Sequence, residues 1–274
     1  MTASVAHGMR IAMWKPRKRL GIALSGGVAR GRAHVGVIQA LDEAGIRADF
    51  ISGVSSGAMV AAAYAAGLSV AGLEQLAKAF SWPKIATPIL PLPGRTGLAR
   101  LGLVDFHKLE LFMIRAIGDI TFDELALPLA VGATDLMTGE RIVITHGRVV
   151  HAVRASASVP GVVAPTAWRG RLLCDGFASN NLPTQILRDM GADVVLAVNI
   201  MPLASRVPSN FFWAGSAALS ALVMQAGDPL DLADIVIEPD LAETDYLYPR
   251  TSDLLARGRA ATQAILPQLR TLLS

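Results

Sequence analysis

Ser55 lies in Gly53-Val54-Ser55-Ser56-Gly57, between the apolar stretch Asp49-Phe50-Ile51 and an Ala-rich helical run. Strand, tight turn, helix, with serine at the turn, is the G-x-S-x-G nucleophile elbow, which lifts one hydroxyl clear of the backbone. Glycine at 53 and 57 leaves the turn uncrowded. The first amides of the following helix then aim at whatever binds Ser55 and favour developing negative charge. The chemistry suited to this spacing is nucleophilic attack on an acyl carbon.

Such a serine needs an oxyanion hole and a base. Ser25-Gly26-Gly27-Val28-Ala29-Arg30-Gly31 follows a predicted strand and opens a predicted helix, so its amides face outward to an anion. A nucleotide-phosphate loop has the same outline, but this segment has no Gly-Lys-Ser/Thr ending and no well-spaced G-x-G-x-x-G.

The base is open between two choices. His146, at a Thr-His-Gly turn, or His151, at a helix start, would complete a triad with Asp135 in the order serine, acid, histidine. That order normally places its histidine after the last strands, and no histidine follows His151. His34, inside the first predicted helix, reads as a packing residue. The other choice is Asp175, which ends the apolar run Leu172-Leu173-Cys174 and precedes Gly176. Active sites of α/β proteins collect at strand C-terminal ends, and a partly desolvated carboxylate there can take the serine proton directly.

Gly-Gly-Val-Ala-Arg-Gly, Gly-Val-Ser-Ser-Gly and Asp-Gly-Phe, in that order, resemble the motifs of the patatin-like phospholipases, most of all their compact bacterial members. The resemblance runs from about Arg19 to Ile200. It takes in Ala133–Glu140, Arg154–Gly161 and Asn180–Pro183. It implies a Ser/Asp dyad without histidine: Ser55 as nucleophile, Asp175 as base, and amides around Gly26, Gly27 and Val28 as oxyanion hole. Arg30 would brace that loop or meet a lipid phosphate. The implied substrate is a lipid or fatty-acyl ester, with no metal and no organic cofactor.

Two positions depart from the family pattern. Val28 stands where a third glycine is usual, and Phe177 stands where Gly or Ala normally follows Asp-Gly. A β-branched residue keeps an unstrained amide only at negative φ. Phe177 would crowd Asp175 or narrow an acyl channel. These departures support an alternative, a catalytically weakened patatin-like regulatory or lipid-binding protein.

The elements that must position these residues alternate. Strands are predicted at Arg19–Leu24, Asp49–Ser52, Leu129–Thr134, Arg141–Thr145, Asp193–Ile200 and Ile235–Glu238. Helices are predicted at Arg32–Ala44, Val70–Phe80, Lys108–Ile117, Leu182–Met190 and Ser252–Leu272. Alternation of this kind argues a mostly parallel sheet covered on both faces, a three-layer α/β/α sandwich. Residues 1–18 read as a basic extension, and 19–274 as one hydrolase domain whose motifs lie within 19–203.

Composition narrows the remaining classes. At 274 residues and 52% apolar, with mean hydropathy +0.45, the chain has a large core or some adhesive surface. A formal charge of +3 without basic runs outside the N-terminal segment gives no reason to expect a nucleic-acid partner. The single cysteine, Cys174, excludes an intrachain disulfide. Phe50–Leu73 and Val207–Gly227 carry no Asp, Glu, Lys or Arg. The first reads as a buried helix; the second fits either a buried helix or a membrane-facing surface. Met9–Leu20 shows no signal-peptide pattern, so the expected location is cytoplasmic, at most peripheral at the inner membrane face. The acid-free, Pro-rich stretch Pro83–Arg100, with Lys84, Arg95 and Arg100, is the expected membrane contact.

Overall fold

The computed structural model describes residues 17–89, 101–201, 221, 227–245 and 247–274. The chain opens with β1 (Leu20–Leu24), α1 (Arg32–Glu43), β2 (Phe50–Val54), α2 (Ser56–Ala65), α3 (Val70–Ala79) and the single turn α4 (Trp82–Ile85). A short antiparallel pair, β3 (Thr87–Pro88) and β4 (Val104–Asp105), precedes α5 (His107–Ile117). Then come β5 (Leu129–Asp135), β6 (Arg141–Ile144), α6 (Val149–Ser156), β7 (Thr166–Trp168) and β8 (Arg171–Asp175). The last described elements are α7 (Gln185–Asp189), β9 (Val194–Val198), β10 (Ile235–Ile237) and α8 (Thr251–Leu273).

The main sheet has the order β10-β9-β1-β2-β5-β8-β7, with β6 also paired to β5. The strands from β10 to β5 run parallel, while β6 and β8 run antiparallel to β5, and β7 pairs antiparallel with β8. Alternation along β1 divides the core. Leu20, Ile22 and Leu24 join the large cluster beneath α1, α2, α3, α5 and α6, and Ala23 meets Leu187, Ala192 and Val195 beside α7 on the other face. Strands buried on both faces under helices are what an α/β/α sandwich requires.

The register along β5 decides where the site lies. β2 pairs with Leu129–Gly132, and β8 pairs with Ala133–Asp135. β6 pairs with Val131–Thr134, so it must occupy the opposite edge. A strand has only two edges, which places β2 and β8 end to end along the same one, with their C-termini facing. The residue after Val54 therefore meets the last residue of β8.

Some boundaries differ from expectation. The second strand continues through Gly53 to Val54, because its register with β1 and β5 persists to the turn. The predicted helix Leu182–Met190 shortens to Gln185–Asp189, since Pro183 has no N–H to give and its carbonyl accepts the Ser52 hydroxyl. β7 was not anticipated. The charge-free stretch Phe50–Leu73 is β2 and the buried helix α2 with the start of α3, and among the described residues no helix is long and apolar enough to cross a membrane. Most of Val207–Gly227, residues 90–100 and residues 1–16 lie outside the described residues. Arg17 and Lys18, assigned to the extension, are held to the domain by Asp49 (2.6 Å) and the Leu272 carbonyl (2.8 Å).

Candidate active site

β2 and α2 meet at Ser55, whose φ of 54° and ψ of −120° are rare for any residue with a side chain. Close packing holds the turn in this conformation. A Cβ on Gly57 would fall 2.3 Å from the Leu24 carbonyl oxygen, and one on Gly53 would fall 2.7 Å from the Gly57 backbone. The N-terminus of α2 thus crosses directly over the end of β1, which only glycine permits. Ser156, in the last turn of α6, accepts the Ser55 N–H (2.8 Å) and donates to the Gly132 carbonyl (2.5 Å). The elbow is thereby tied to β5.

Asp175 ends β8 and is fully enclosed, with 1% of its surface exposed. Its N–H donates to the Ser158 carbonyl (2.8 Å), and its own carbonyl accepts the Thr134 hydroxyl (3.0 Å). One carboxylate oxygen accepts the Phe177 N–H (2.9 Å). Burial pushes the Asp175 carboxyl up to about 7, against the downward pull of the Phe177 amide and the neighbouring Ser55 hydroxyl. Such a group changes charge in the range where a general base is most useful. The register brings these two residues together for a different reason than a parallel-strand C-terminus: β8 is antiparallel and runs toward Ser55 head-on. Phe177 is half-buried, and its backbone supports Asp175.

The Gly-rich loop runs beside this pair. Ser25 receives the Ile200 N–H on its hydroxyl (3.0 Å), and its carbonyl bonds Nε2 of the wholly buried His34 (2.8 Å). Since a carbonyl only accepts, Nε2 carries the proton. Burial pushes His34 down to about 4, so the ring stays neutral and fixes the base of the loop. The Gly26 N–H donates to Asn181 Oδ1 (3.0 Å), which removes Gly26 from the expected oxyanion donors. Among the described residues no acceptor takes the N–H of Gly27 or Val28. The first amides of α2 likewise have no intrahelical acceptor.

Val28 departs from the expected negative φ, standing at 55°. The loop keeps the left-handed conformation that suits glycine and carries the strain of a β-branched side chain there. Arg30 is buried and donates to the carbonyls of Leu241 (2.9 Å) and Thr244 (2.7 Å), which ties the loop to the segment after β10.

The triad choice finds no support in the contacts. His151 Nδ1 bonds Glu110 (2.9 Å), and its ring stacks on Trp168. His146 packs against the same ring. Asp135 receives the amides of Met137 and Thr138 and pairs with Arg171. None of the described hydrogen bonds joins a histidine to Ser55 or Asp175. Burial alone would raise Glu110, yet its bonds to His151 and Arg154 hold it down to about 2. With Asp105, which Arg154 also bonds (2.9 Å), this ionic cluster clamps α6 to α5.

Sequence reasoning assigned no role to Ser156, Ser158, Thr134 or Asn181. Their signal was the Ser156-Ala157-Ser158 spacing and the Asn180-Asn181 pair, both inside segments carrying the family resemblance. Single-residue chemistry gave no cue, because each acts by holding another residue's backbone.

Comparison with known proteins bears on the family and the fold. A family model described as patatin-like phospholipase matches residues 22–188. The chain is 36% identical over 184 residues to an uncharacterized NTE family protein of Mycobacterium tuberculosis, covering 66% of this chain and 49% of that protein. It is 31% identical over 194 residues to the neuropathy target esterase of Drosophila melanogaster, covering 70% of this chain and 13% of the fly protein. A lysophospholipase of Aspergillus fumigatus is 30% identical over 204 residues, covering 71% of this chain and 13% of the relative. The chain thus spans about half, or much less, of the relatives it matches. Among solved structures, VipD from Legionella pneumophila superposes with a TM-score of 0.62 at 15% identity, covering 92% of this chain and 67% of that one. The type III effector ExoU gives 0.51 at 18% identity, covering 92% and 53%. With the family model matching more than half of its length, the chain belongs to the patatin-like phospholipase family.

Proposed function

We propose that this protein is a serine acyl-ester hydrolase acting on lipids through a Ser55–Asp175 dyad. The observation supporting this reading is the end-to-end meeting of β2 and β8 along β5, which brings Ser55 to the buried Asp175 carboxylate with no described histidine bonded to either. Ser55 Oγ attacks the ester carbonyl as its proton passes to Asp175. The oxyanion of the tetrahedral intermediate is held by the amides of Gly27 and Val28. Collapse expels the alcohol, which takes the proton from Asp175. Water, deprotonated by the same carboxylate, then attacks the acyl-enzyme and releases the fatty acid. None of these steps calls for a metal or organic cofactor. The family, and relatives described as lysophospholipases, support a glycerolipid ester as substrate. Fatty-acid release from lysophospholipid, diacyl phospholipid and triglyceride by wild type and Ser55→Ala is the test. The reading expects release by wild type from at least one of them and none by the variant; equal release by both overturns it.

The substrate's location suggests a peripheral membrane contact. Leu101, Leu103, His107, Lys108, Leu111 and Arg115 are all exposed on the approach to α5 and along its outer face, and that face shows no exposed acid. Lys84 stands nearby, since Lys108 reaches the Pro83 carbonyl (3.4 Å). A basic residue near an anionic surface contributes about 1 kcal/mol. Co-sedimentation with vesicles containing anionic lipid should fall in a Lys84→Glu, Lys108→Glu, Arg115→Glu variant. Unchanged sedimentation at low salt would exclude this face.

A further inference from the structure

The last turn of α6 touches both Ser55 and Asp175. Ser156 Oγ accepts the Ser55 N–H (2.8 Å), and two residues on the Ser158 carbonyl accepts the Asp175 N–H (2.8 Å). Both serines are fully buried. A hydroxyl has one proton and a carbonyl only accepts, so Ser156 gives that proton to the Gly132 carbonyl (2.5 Å) and turns a lone pair to Ser55. The carbonyl stands where the two strands meet. Val54 pairs with Gly132 and Asp175 with Ala133, and the carbonyl belongs to the peptide joining those two residues of β5. A Cβ on Gly176 would collide with the same oxygen, so the chain just after Asp175 rests on it as well. The turn itself is held firmly. The Ala157 and Ser158 amides bond back to the carbonyls of Val153 (3.1 Å) and Ala155 (3.2 Å). Arg154 anchors it to Glu110 (3.2 Å) and Asp105 (2.9 Å).

We infer that Ser156 is a positioning residue, whose hydroxyl sets the aim of the Ser55 side chain and on which turnover therefore depends. The inference rests on the hydrolase reading. Close packing at Gly53 and Gly57 bars other paths for the chain but does not choose the rotation of the Val54–Ser55 peptide. A hydrogen bond does choose it, because it weakens steeply away from linearity. Ser55 needs that restraint: its φ of 54° and ψ of −120° are strained, and such a residue persists only where its surroundings over-determine it. Without the Ser156 hydroxyl, the Ser55 N–H would be buried with no acceptor, and the peptide would rotate to find one. That rotation takes the Ser55 hydroxyl away from the end of β8 and from the Gly27 and Val28 amides. A misplacement of about 1 Å costs about a hundredfold in rate. Groups that bind substrate away from the reacting bond are untouched, so the loss falls on kcat and leaves KM in place.

Ser156→Ala, Ser156→Cys and Thr262→Ala separate aim from stability. Thr262 is equally buried, and its hydroxyl bonds the Gly258 carbonyl (2.9 Å) within α8, away from the site. Each variant is measured for kcat and KM on p-nitrophenyl butyrate, for its thermal melt, and for hydrogen exchange of the Ser55 amide by mass spectrometry of elbow peptides. Ser156→Ala should lower kcat about thirtyfold or more with KM within about twofold, and should speed exchange at Ser55. Ser156→Cys, which keeps a weaker donor and acceptor, should lose about tenfold and carries the test alone if Ser156→Ala does not fold. Thr262→Ala should melt lower yet keep wild-type kcat and Ser55 exchange. Wild-type kcat in the folded Ser156 variants would overturn the inference, even with a lowered melt, since the hydroxyl would then be structural only. Faster exchange at Ser55 in Ser156→Ala, in a protein whose wild type hydrolyses neither this ester nor the lipids above, would support the hold on the elbow while overturning the hydrolase reading.

Discussion

The turns after β1 and β2 are neighbours with the same outline, strand to turn to helix, and each holds a non-glycine residue at φ near 55°. They differ in what the strain accomplishes. At Ser55 the side chain is the point: the turn sets this serine beside the end of β8, and Gly53, Gly57 and Ser156 lock it there. At Val28 the backbone is the point: an amide is left without an acceptor, and glycine would do this at no steric cost. The valine side chain contributes instead to the apolar wall beside the site. Strain of about 1–2 kcal/mol in a left-handed residue is tolerated when surrounding packing fixes it. One turn carries strain for chemistry, and its neighbour carries it for shape.

The largest expected effect falls on the first turn's partner. Asp175→Asn should lower kcat/KM by about a thousandfold or more, as removal of a base does in serine hydrolases. In wild type, activity should rise with pH through about 7 as Asp175 ionises. Stability runs the other way. The folded-state value lies above the ordinary 3.8, so its contribution is full below that value and is lost as pH rises through about 7. Thermal melts from pH 4 to 9 should therefore show wild type weakening up to about pH 7 and level above it, with Asp175→Asn flatter and the more stable of the two at pH 8. Parallel melting curves would mean the carboxylate ionises without cost.

Smaller effects separate the turns themselves. Gly57→Ala should destabilise by about 1–3 kcal/mol, because its methyl has only the Leu24 and Ser25 carbonyls to displace. At Val28 the order of stability should invert the usual one. Val28→Gly should exceed Val28→Ala by about 1 kcal/mol in urea unfolding, whereas in ordinary strand or helix glycine is the weaker residue. Equal stabilities would mean that the loop relaxes to negative φ when the valine is removed.

How far the sequence disclosed this site follows from the range of the forces involved. Local rules found β1, α1, the Ser55 turn and the helix after it, because glycine spacing and apolar runs act within a few residues. Ser55 and Asp175 were legible, but what brings them together was not: it depends on β8 entering antiparallel and meeting β2 end to end on β5. The claim on Gly26 as an oxyanion donor failed for a similar reason, since the acceptor Asn181 lies far along the chain. Val28 was recognised as a departure, while its positive φ belongs to a loop whose Gly26 and Gly27 pack closely against Ser55, Asn181 and Ile200.

The central claim is that Asp175 alone activates Ser55. Its most direct test is labelling with a fluorophosphonate probe at pH 8, with the modified residue mapped by mass spectrometry in wild type, Asp175→Asn and a His146→Ala, His151→Ala variant. The account predicts an adduct on Ser55 in wild type and in the double-histidine variant, and a labelling rate reduced by at least a hundredfold in Asp175→Asn, about the weight of one general base. Labelling of Ser55 that survives loss of Asp175 but fails without the histidines, in folded protein, would contradict it.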